Sequence, residues 1–374
     1  IPTLDQSGAE RQLTLLATGL PRDQYDLHVI ALNRGGYYAD LLKQADIPVE
    51  VLGKRFRFDP LTWLRLRGRL HRLRPDVVQS YLFAANTYVR LPGVTPSATR
   101  IIVSERCVDT WKSGWQLSLD RRLAGRMQAM TANSMSVSDF YQSLGVSRPL
   151  LHVIPNGLPI PDAEESVRNQ RRQRLRKEAG LEPHHRIVGF AGRLAGQKRL
   201  EDLIWAFQLL HQAVDHTRLV LIGSGPERDA LARFAANMHC RDKVVFLGHR
   251  EDAQELIGGM DAFALPSEFE GMSNSLMEAM ALGLPVVASN IPANSELVTH
   301  EETGLTYPLG NSPELTRALR RVLEDSELAG RLGHTARKLM ETQHNVALMV
   351  QRHQQLYAEL TGGRVRAFQT PVNA

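Results

Sequence analysis

Apolar positions along the chain follow two rhythms. Short unbroken apolar runs, bounded by Gly, Pro, Asn or Asp, alternate with longer stretches in which apolar residues recur every three to four positions. The short runs predict strands buried on both faces at 25–32, 49–52, 77–80, 100–104, 129–133 and 152–154, and again at 187–191, 218–222, 244–247, 263–265, 286–288 and 304–307. The longer stretches predict helices at 9–20, 37–44, 60–73, 86–91 and 137–144, then at 200–213, 227–238, 253–258, 276–281, 313–323, 327–342 and 345–360. Strand and helix in alternation is the pattern of an α/β protein with parallel sheets and helices on both faces. It is interrupted once, at 158–185, where Pro159, Pro161 and Pro183 mark irregular chain. Between them a charged helix at 164–179 carries six basic residues from Arg168 to Lys177. It reads as a solvated linker helix, or else as a patch for a membrane or acidic partner.

The most informative stretch is 265–289, which reads as strand end, loop, helix and strand. Pro266, Ser267 and Gly271 break the pattern, and Ser273, Asn274 and Ser275 are N-cap candidates. Gly283 and Pro285 stop the helix. Such a unit places a helix N-terminus at the carboxyl edge of a parallel sheet, where free N–H groups and the helix dipole favour an anion. Glu270 precedes the helix and Glu278 lies about one turn inside it, so its side chain points back toward the loop. A phosphate at the helix end beside carboxylates that accept hydrogen bonds from sugar hydroxyls describes a nucleotide-sugar site. Two other strand-to-helix turns add to it. Gly192-Arg193 with Lys198 suits a diphosphate, gripped bidentately by Arg and by the point charge of Lys. Gly223-Ser-Gly-Pro226 is Gly-rich but does not fit the six-residue dinucleotide fingerprint, so no dehydrogenase is implied. Turns at the carboxyl ends of one sheet converge where open α/β folds bind ligands.

Composition adds limits. The 374 residues suffice for two domains, are 43% hydrophobic and 23% charged, and contain no apolar run of membrane-spanning length. No signal peptide is visible, and the chain starts at Ile1, as though late in a first strand or just after it. Two cysteines, Cys107 and Cys240, fit a reducing compartment and a cytoplasmic location. Residues 1–160 hold 20 Lys/Arg against 13 Asp/Glu, and the remainder 25 against 27. The basic half is expected to meet the more acidic or membrane-bound partner. No zinc-finger spacing, RNA-recognition signature or basic region with heptads points to nucleic acid.

Taken in order, Gly192-Arg193, Lys198, Gly223-Ser-Gly-Pro226, Phe246-Leu-Gly248, and Glu270 and Glu278 with seven residues between them resemble the retaining glycosyltransferases of family 4, the "group 1" transferases with the GT-B fold. Thinner matches in the first half are Ser7-Gly8-Ala9-Glu10, Arg74-Pro-Asp-Val-Val78 and Val153-Ile-Pro-Asn-Gly157. The resemblance implies two Rossmann-like parallel-sheet domains facing across a cleft. Residues 1–160 would be the acceptor domain and 161–342 the nucleotide-sugar domain; the helix 345–360 would cross back to the first, and 361–374 would be a disordered tail. By the same resemblance Arg193 and Lys198 hold the donor diphosphate and Glu270 sits by the transferred sugar. Glu278 binds the ribose, while Gly192, Gly223 and Gly225 shape the donor turns. Gly271, Met272, Ser273, Asn274 and Ser275 bind sugar and distal phosphate, Gly248 to Arg250 lie against the base, and Gly8 approaches the diphosphate from the other domain. Diphosphate stabilisation by these cations is a metal-free route, in keeping with the absence of any Asp-x-Asp from the sequence; no cofactor is implied. The implied reaction is transfer from a nucleotide-sugar, UDP-sugar first, to a polysaccharide or lipid-linked acceptor with retention.

The sequence departs from the family in its first half. The family's histidine after the Pro-Asp-Val-Val segment is missing, so either Tyr81 or Asn86 positions the sugar or the role is absent. Ser7-Gly8 stands where two glycines are usual, and residues 291–296 replace a Gly-Gly loop. Glu105 and Arg106 read either as acceptor-site residues or as a structural ion pair. Two other readings stay open: a sugar-nucleotide epimerase on this fold, and a non-catalytic sugar-nucleotide-binding protein. In the basic helix 60–73, Trp63, Leu66, Leu70 and Leu73 share a face that reads as core rather than lipid-facing, with arginines around it. Those arginines suit anionic headgroups, and with them a place at the inner face of the membrane.

Overall fold

The computed structural model of the chain describes residues 1–109, 112–162 and 164–363. The strands are β1 (Val29–Ala31), β2 (Val49–Val51), β3 (Val77–Tyr81), β4 (Arg100–Glu105), β5 (Ala129–Ala132), β6 (Leu151–Val153), β7 (Arg186–Ala191), β8 (Thr217–Ile222), β9 (Val244–Gly248), β10 (Ala262–Leu265), β11 (Val286–Ser289) and β12 (Leu305–Tyr307). All of their pairings are parallel. The chain divides into two compact units. One is Ile1–Gly157 with the helix Val346–Thr361; the other is Leu158–Asn345.

In the first unit β3-β4-β5-β6 form one sheet and β1-β2 a separate pair. Ile1 and Pro2 lie along β1, where their carbonyls accept from the N–H groups of Leu32 and Asn33 at 2.9 and 2.8 Å. A cavity of about 660 Å³ is lined by residues of both β1 and β3, with Leu13, Leu70 and Tyr357. The helix Pro60–Leu73 starts where Asp59 caps it, accepting from Leu61 N–H at 3.0 Å, with Pro at its first position. The helix expected at 86–91 begins earlier. Leu82 follows β3 directly with φ +68°, and no Gly or Pro punctuates that junction. The helix Val346–Thr361 buries Met349, Val350 and Leu356 against Leu16, Leu20, Ile102, Ala129 and Ile154. His353 is buried on the same face. Residues 361–363 are described, Thr361 as the end of this helix; the rest of the expected tail lies outside the described residues.

The second unit is built on one six-stranded sheet in the order β12-β11-β10-β7-β8-β9, over a single large core. From β7 the chain moves outward to β8 and β9, then returns to the other side of β7 with β10, β11 and β12. The reversal lies between β7 and β10, and the crevice outside the carboxyl ends of such a pair is where doubly wound folds take ligands. The charged helix Glu165–Ala179 is part of this unit. Leu175 is buried in its core, and Arg171 binds Glu255 at 2.8 Å while Arg172 and Arg174 meet Asp261 and Asp252. Four contacts to three acids, counting that of Arg176 to Asp261, tie one face of this helix to the unit, where Arg171 and Leu175 are buried; the rest of its surface is solvated, as expected of it.

Candidate donor site

Three turns meet at the carboxyl ends of β7, β8 and β9. Gly192 N–H donates to the Ile222 carbonyl at 2.9 Å, and Gly223 N–H donates to the Gly248 carbonyl at 2.7 Å. The backbone of one turn rests on that of the next. A Cβ on Gly223 would lie 1.9 Å from the Gly192 carbonyl oxygen, and one on Gly225 2.2 Å from that of Leu194. Gly223 also has φ +132°, a region side chains disfavour. The close stacking of bare backbone explains these glycines.

The turn after β7 continues as Gly196–Lys198, tied to the loop after β10. Glu268 N–H donates to the Gln197 carbonyl at 2.9 Å, and Gln197 Nε2 donates to the Phe269 carbonyl at 2.7 Å. Lys198 Nζ then donates to Glu270 Oε1. The pair bridges the two loops that flank the switch point, with side chains only 15% and 9% exposed. An ammonium is thereby held at the carboxyl edge of the sheet, between the turn after β7 and the loop after β10. Arg193 is exposed on the same turn.

Ser273 caps the helix Asn274–Ala281, its Oγ accepting from Leu276 N–H, and lies 3.3 Å from Ser275 Oγ. The helix is buried on nearly every side, so Glu278 is a buried carboxylate whose side chain leans toward the capped end. Gly271 and Met272 are buried in the preceding loop. One contribution was not legible in the sequence. Ser289 Oγ donates to the Ser267 carbonyl at 2.6 Å, and Asn294, on the short helix Pro292–Ser295, donates to the Ser289 carbonyl at 3.1 Å. This chain of bonds braces the loop before Glu270, and its signal is the Asn in the segment that replaces a Gly-Gly loop. Arg250 is committed elsewhere: it binds Asp252 at 2.8 Å and Glu178 at 2.9 Å, and those hydrogen bonds raise its pKa.

The first-unit residues are arranged differently. Gly8 opens the helix Gly8–Gly19. Tyr81, Asn86 and Glu105 are buried, Asn86 completely. Asn86 Nδ2 donates to Glu105 Oε1 at 3.0 Å, and Asn86 Oδ1 accepts from Ser80 Oγ at 2.7 Å. Lys112 reaches Asp109 at 2.9 Å, Asp120 at 3.1 Å and Glu105 at 3.5 Å, and Arg90 binds Asp120 at 2.6 Å. Burial raises the Glu105 pKa to about 7; Lys112 opposes this, and Asp109 and Asp120 add to it. Arg106 donates to Asn156 Oδ1, and burial lowers its pKa to about 10. Burial likewise lifts the Tyr81 hydroxyl to about 12. These four residues were expected at an acceptor site. The structure buries Tyr81, Asn86 and Glu105, and Glu105 makes an ion pair with Lys112. Their polar atoms are satisfied inside the fold, as buried polar groups are.

The family model described as "Glycosyl transferases group 1" matches residues 171–339, and that described as "Glycosyltransferase Family 4" matches residues 6–160. The chain belongs to the group 1 glycosyltransferases. This group 1 chain is similar to an N-acetyl-alpha-D-glucosaminyl L-malate synthase of Bacillus anthracis, 29% identical over 186 residues, which are 50% of this chain and 49% of that protein. It is also similar to a UDP-Gal:alpha-D-GlcNAc-diphosphoundecaprenol alpha-1,3-galactosyltransferase of Escherichia coli, 26% identical over 213 residues, 56% of this chain and 54% of that protein. The chain spans about half the length of the curated relatives it matches. Among solved structures, HepE of Anabaena in complex with UDP and glucose superposes with a TM-score of 0.83 at 24% identity, covering 95% of this chain and 98% of that one. At that identity the likeness establishes the fold, and the fold is GT-B.

Proposed function

We propose that this group 1 glycosyltransferase moves a sugar from a nucleotide-diphospho-sugar, a UDP-sugar first among candidates, to a polysaccharide or lipid-linked acceptor with retention of configuration. The observation that carries the reading is the Lys198–Glu270 pair spanning the switch point beside the capped helix Asn274–Ala281. Arg193 and Lys198 neutralise the diphosphate as it leaves, and the helix N–H groups receive phosphate or sugar oxygens. Glu278 accepts from the ribose hydroxyls and Glu270 from the transferred sugar. The diphosphate departs from the face on which the acceptor attacks, which gives retention. These cations supply the charge, so the reaction needs no metal ion. UDP is favoured because HepE was solved with UDP and with UDP-glucose, and the E. coli relative is a UDP-Gal enzyme with a diphosphoundecaprenol-linked acceptor. A lipid-linked acceptor would bring the protein to the inner face of an anionic membrane.

The test is a thermal-shift panel of UDP-, GDP- and ADP-sugars, followed by an assay for nucleoside diphosphate released on adding glycan or lipid-linked acceptors in EDTA. A shift with UDP-sugars and release of UDP are expected. Binding without release under any acceptor would leave a sugar-nucleotide-binding protein, and no binding at all would overturn the donor site.

A further inference from the structure

The turn that carries Lys198 bends at an unfavourable residue. Arg199 follows Lys198 with φ +46° and ψ +45°, the left-handed region that strains any residue with a Cβ and that glycine fills freely. Arg199 is also the N-cap of the helix Leu200–Ala213 and gives it no side-chain cap. That place suits a Ser, Thr, Asn or Asp oxygen, and the positive end of the helix repels a cation. Three local preferences are broken at one position, beside the ammonium at the switch point. What holds the bend is visible. Arg199 Nε donates to Asp202 Oδ2 at 2.6 Å. Asp202 is fixed in turn: its N–H donates to the Arg199 carbonyl at 3.1 Å, and its carbonyl accepts from the buried Ser312 Oγ at 3.1 Å. A Cβ on Gly310 would lie 3.3 Å from Arg199 Nη2, so the guanidinium is backed by bare backbone. Glu268, on the loop after β10, adds its charge to that of Asp202. The turn is closed by Lys198 N–H, which donates to the Ala195 carbonyl at 2.8 Å, and by Arg199 N–H, which donates to the Gly196 carbonyl at 3.0 Å. Lys198 leaves it toward Glu270, and Arg199 toward Asp202.

We propose that Arg199 is a positioning residue for the transfer reaction, whose tie to Asp202 keeps the backbone bend that aims the Lys198 ammonium. The inference rests on the role given to Lys198 above, as a cation that neutralises the departing diphosphate. Arg199 itself acts through Lys198 and touches neither sugar nor phosphate. A glycine at this bend would be unstrained and free to relax, whereas the anchored arginine admits one conformation. Charge that develops in the transition state is stabilised best by a group already in place, since nothing then has to reorganise. A bound diphosphate asks less, because a loosened lysine can still reach it through its flexible stem. Loss of the tie should therefore lower kcat and leave the donor KM nearly unchanged.

The full chain and its Arg199→Gly, Asp202→Ala, Arg199→Lys and Lys198→Ala variants test this, with UDP-glucose as donor and the acceptor found in the assay above. Arg199→Gly suits the left-handed bend, so the protein should melt close to the parent while kcat falls about tenfold to a hundredfold and KM changes less than about threefold. Asp202→Ala should do the same to kcat, and the double variant should be no slower than either, because one tie is cut. Arg199→Lys keeps a cation within reach of Asp202 and should recover part of the rate. Independently of turnover, hydrogen exchange at the Lys198 and Arg199 amides should quicken in Arg199→Gly and in Asp202→Ala. Parental kcat in Arg199→Gly, beside an inactive Lys198→Ala, overturns this inference alone; the left-handed residue then serves the backbone only. So do unchanged amide exchange, or a loss in Arg199→Gly that falls on KM and is lacking in Asp202→Ala, which would put the guanidinium on the donor itself. A fully active Lys198→Ala overturns the reading of the donor site, and this inference with it.

Discussion

Lys198 and Glu270 hold each other in a setting that admits little water, and this makes their two effects separable. Replacing Lys198 by Ala leaves a buried carboxylate without its partner, and breaking such a pair costs about 3–5 kcal/mol. The melting temperature should fall and UDP-sugar binding should vanish. Adding Glu270→Gln to Lys198→Ala removes the orphaned charge, so stability should recover while binding does not. If the double variant binds as the parent does, the ammonium has no part in the donor site. Glu105 offers a test that reads pH instead. Its carboxyl sits at about 7 in the folded protein, because burial outweighs the pull of Lys112, against 4.5 as its ordinary value. Between those values the folded protein holds a proton that the unfolded chain has released. The contribution to stability is therefore full below pH 4.5 and is lost as pH rises through 7. Glu105→Gln keeps the hydrogen-bonding shape without the titration. The stability of the variant relative to the parent should rise by a few kcal/mol between pH 4.5 and 8, as measured by denaturant unfolding across that range. A flat difference would show that Glu105 is ionised throughout.

At the scale of elements, the turns of the second unit were legible because local and tertiary requirements agree there. The stretch from β10 to β11 reads as strand, capped helix and strand, and it is built so, with Ser273 as the cap. Gly223 follows the same logic: its place at a strand end signals a turn, and the structure adds that a neighbouring backbone lies where its Cβ would be. Gly223→Ala should cost about 2 kcal/mol or more, from left-handed strain and backbone displacement together. It should also weaken UDP-sugar binding through the displaced Gly192 turn. Calorimetry and nucleotide titration would show both, and an alanine variant with unchanged melting would mean that the turns are not in contact. The first unit was harder to read for a physical reason. The helix Gly114–Leu123 buries only Asp120 and Leu123, so it has no apolar stripe to reveal it. The interior placement of Asn86 and Glu105 depends on partners scattered over Ser80, Arg90, Lys112 and Asp120. A polar residue in sequence looks like a surface residue, and only the assembled network shows that its bonds are satisfied inside.

At the scale of the whole molecule, the two units differ in how they use the chain. The core of the Leu158–Asn345 unit draws every one of its buried members from Leu158 to Met340, so the unit holds all it needs to fold. The other unit does not. Its cluster around Leu16, Leu20, Ile102, Ala129 and Ile154 is closed by Met349, Val350 and Leu356, which the chain supplies only after the second unit is complete. The resemblance implied that this helix returns to the first domain; which strands and helix it covers there, through Leu16, Leu20, Ile102, Ala129 and Ile154, came from the structure. Each buried aliphatic or Met side chain contributes about 1.5–3 kcal/mol, so removing the helix forfeits about 5–9 kcal/mol from three residues, comparable to the full stability of an ordinary domain. Two truncations should therefore behave oppositely. Residues 158–345 alone should unfold in one cooperative transition and still respond to UDP-sugar, since the Lys198–Glu270 pair and the helix Asn274–Ala281 lie within them. Residues 1–345 should keep that transition while the first unit loses its own. Hydrogen exchange on the two fragments separates the outcomes: β3 to β6 should exchange rapidly in the longer one, and β7, β8 and β10 should stay protected in both. If β3 to β6 remain protected without the helix, the first unit's stability resides in its sheet, and the late-arriving helix is an accessory rather than part of its core.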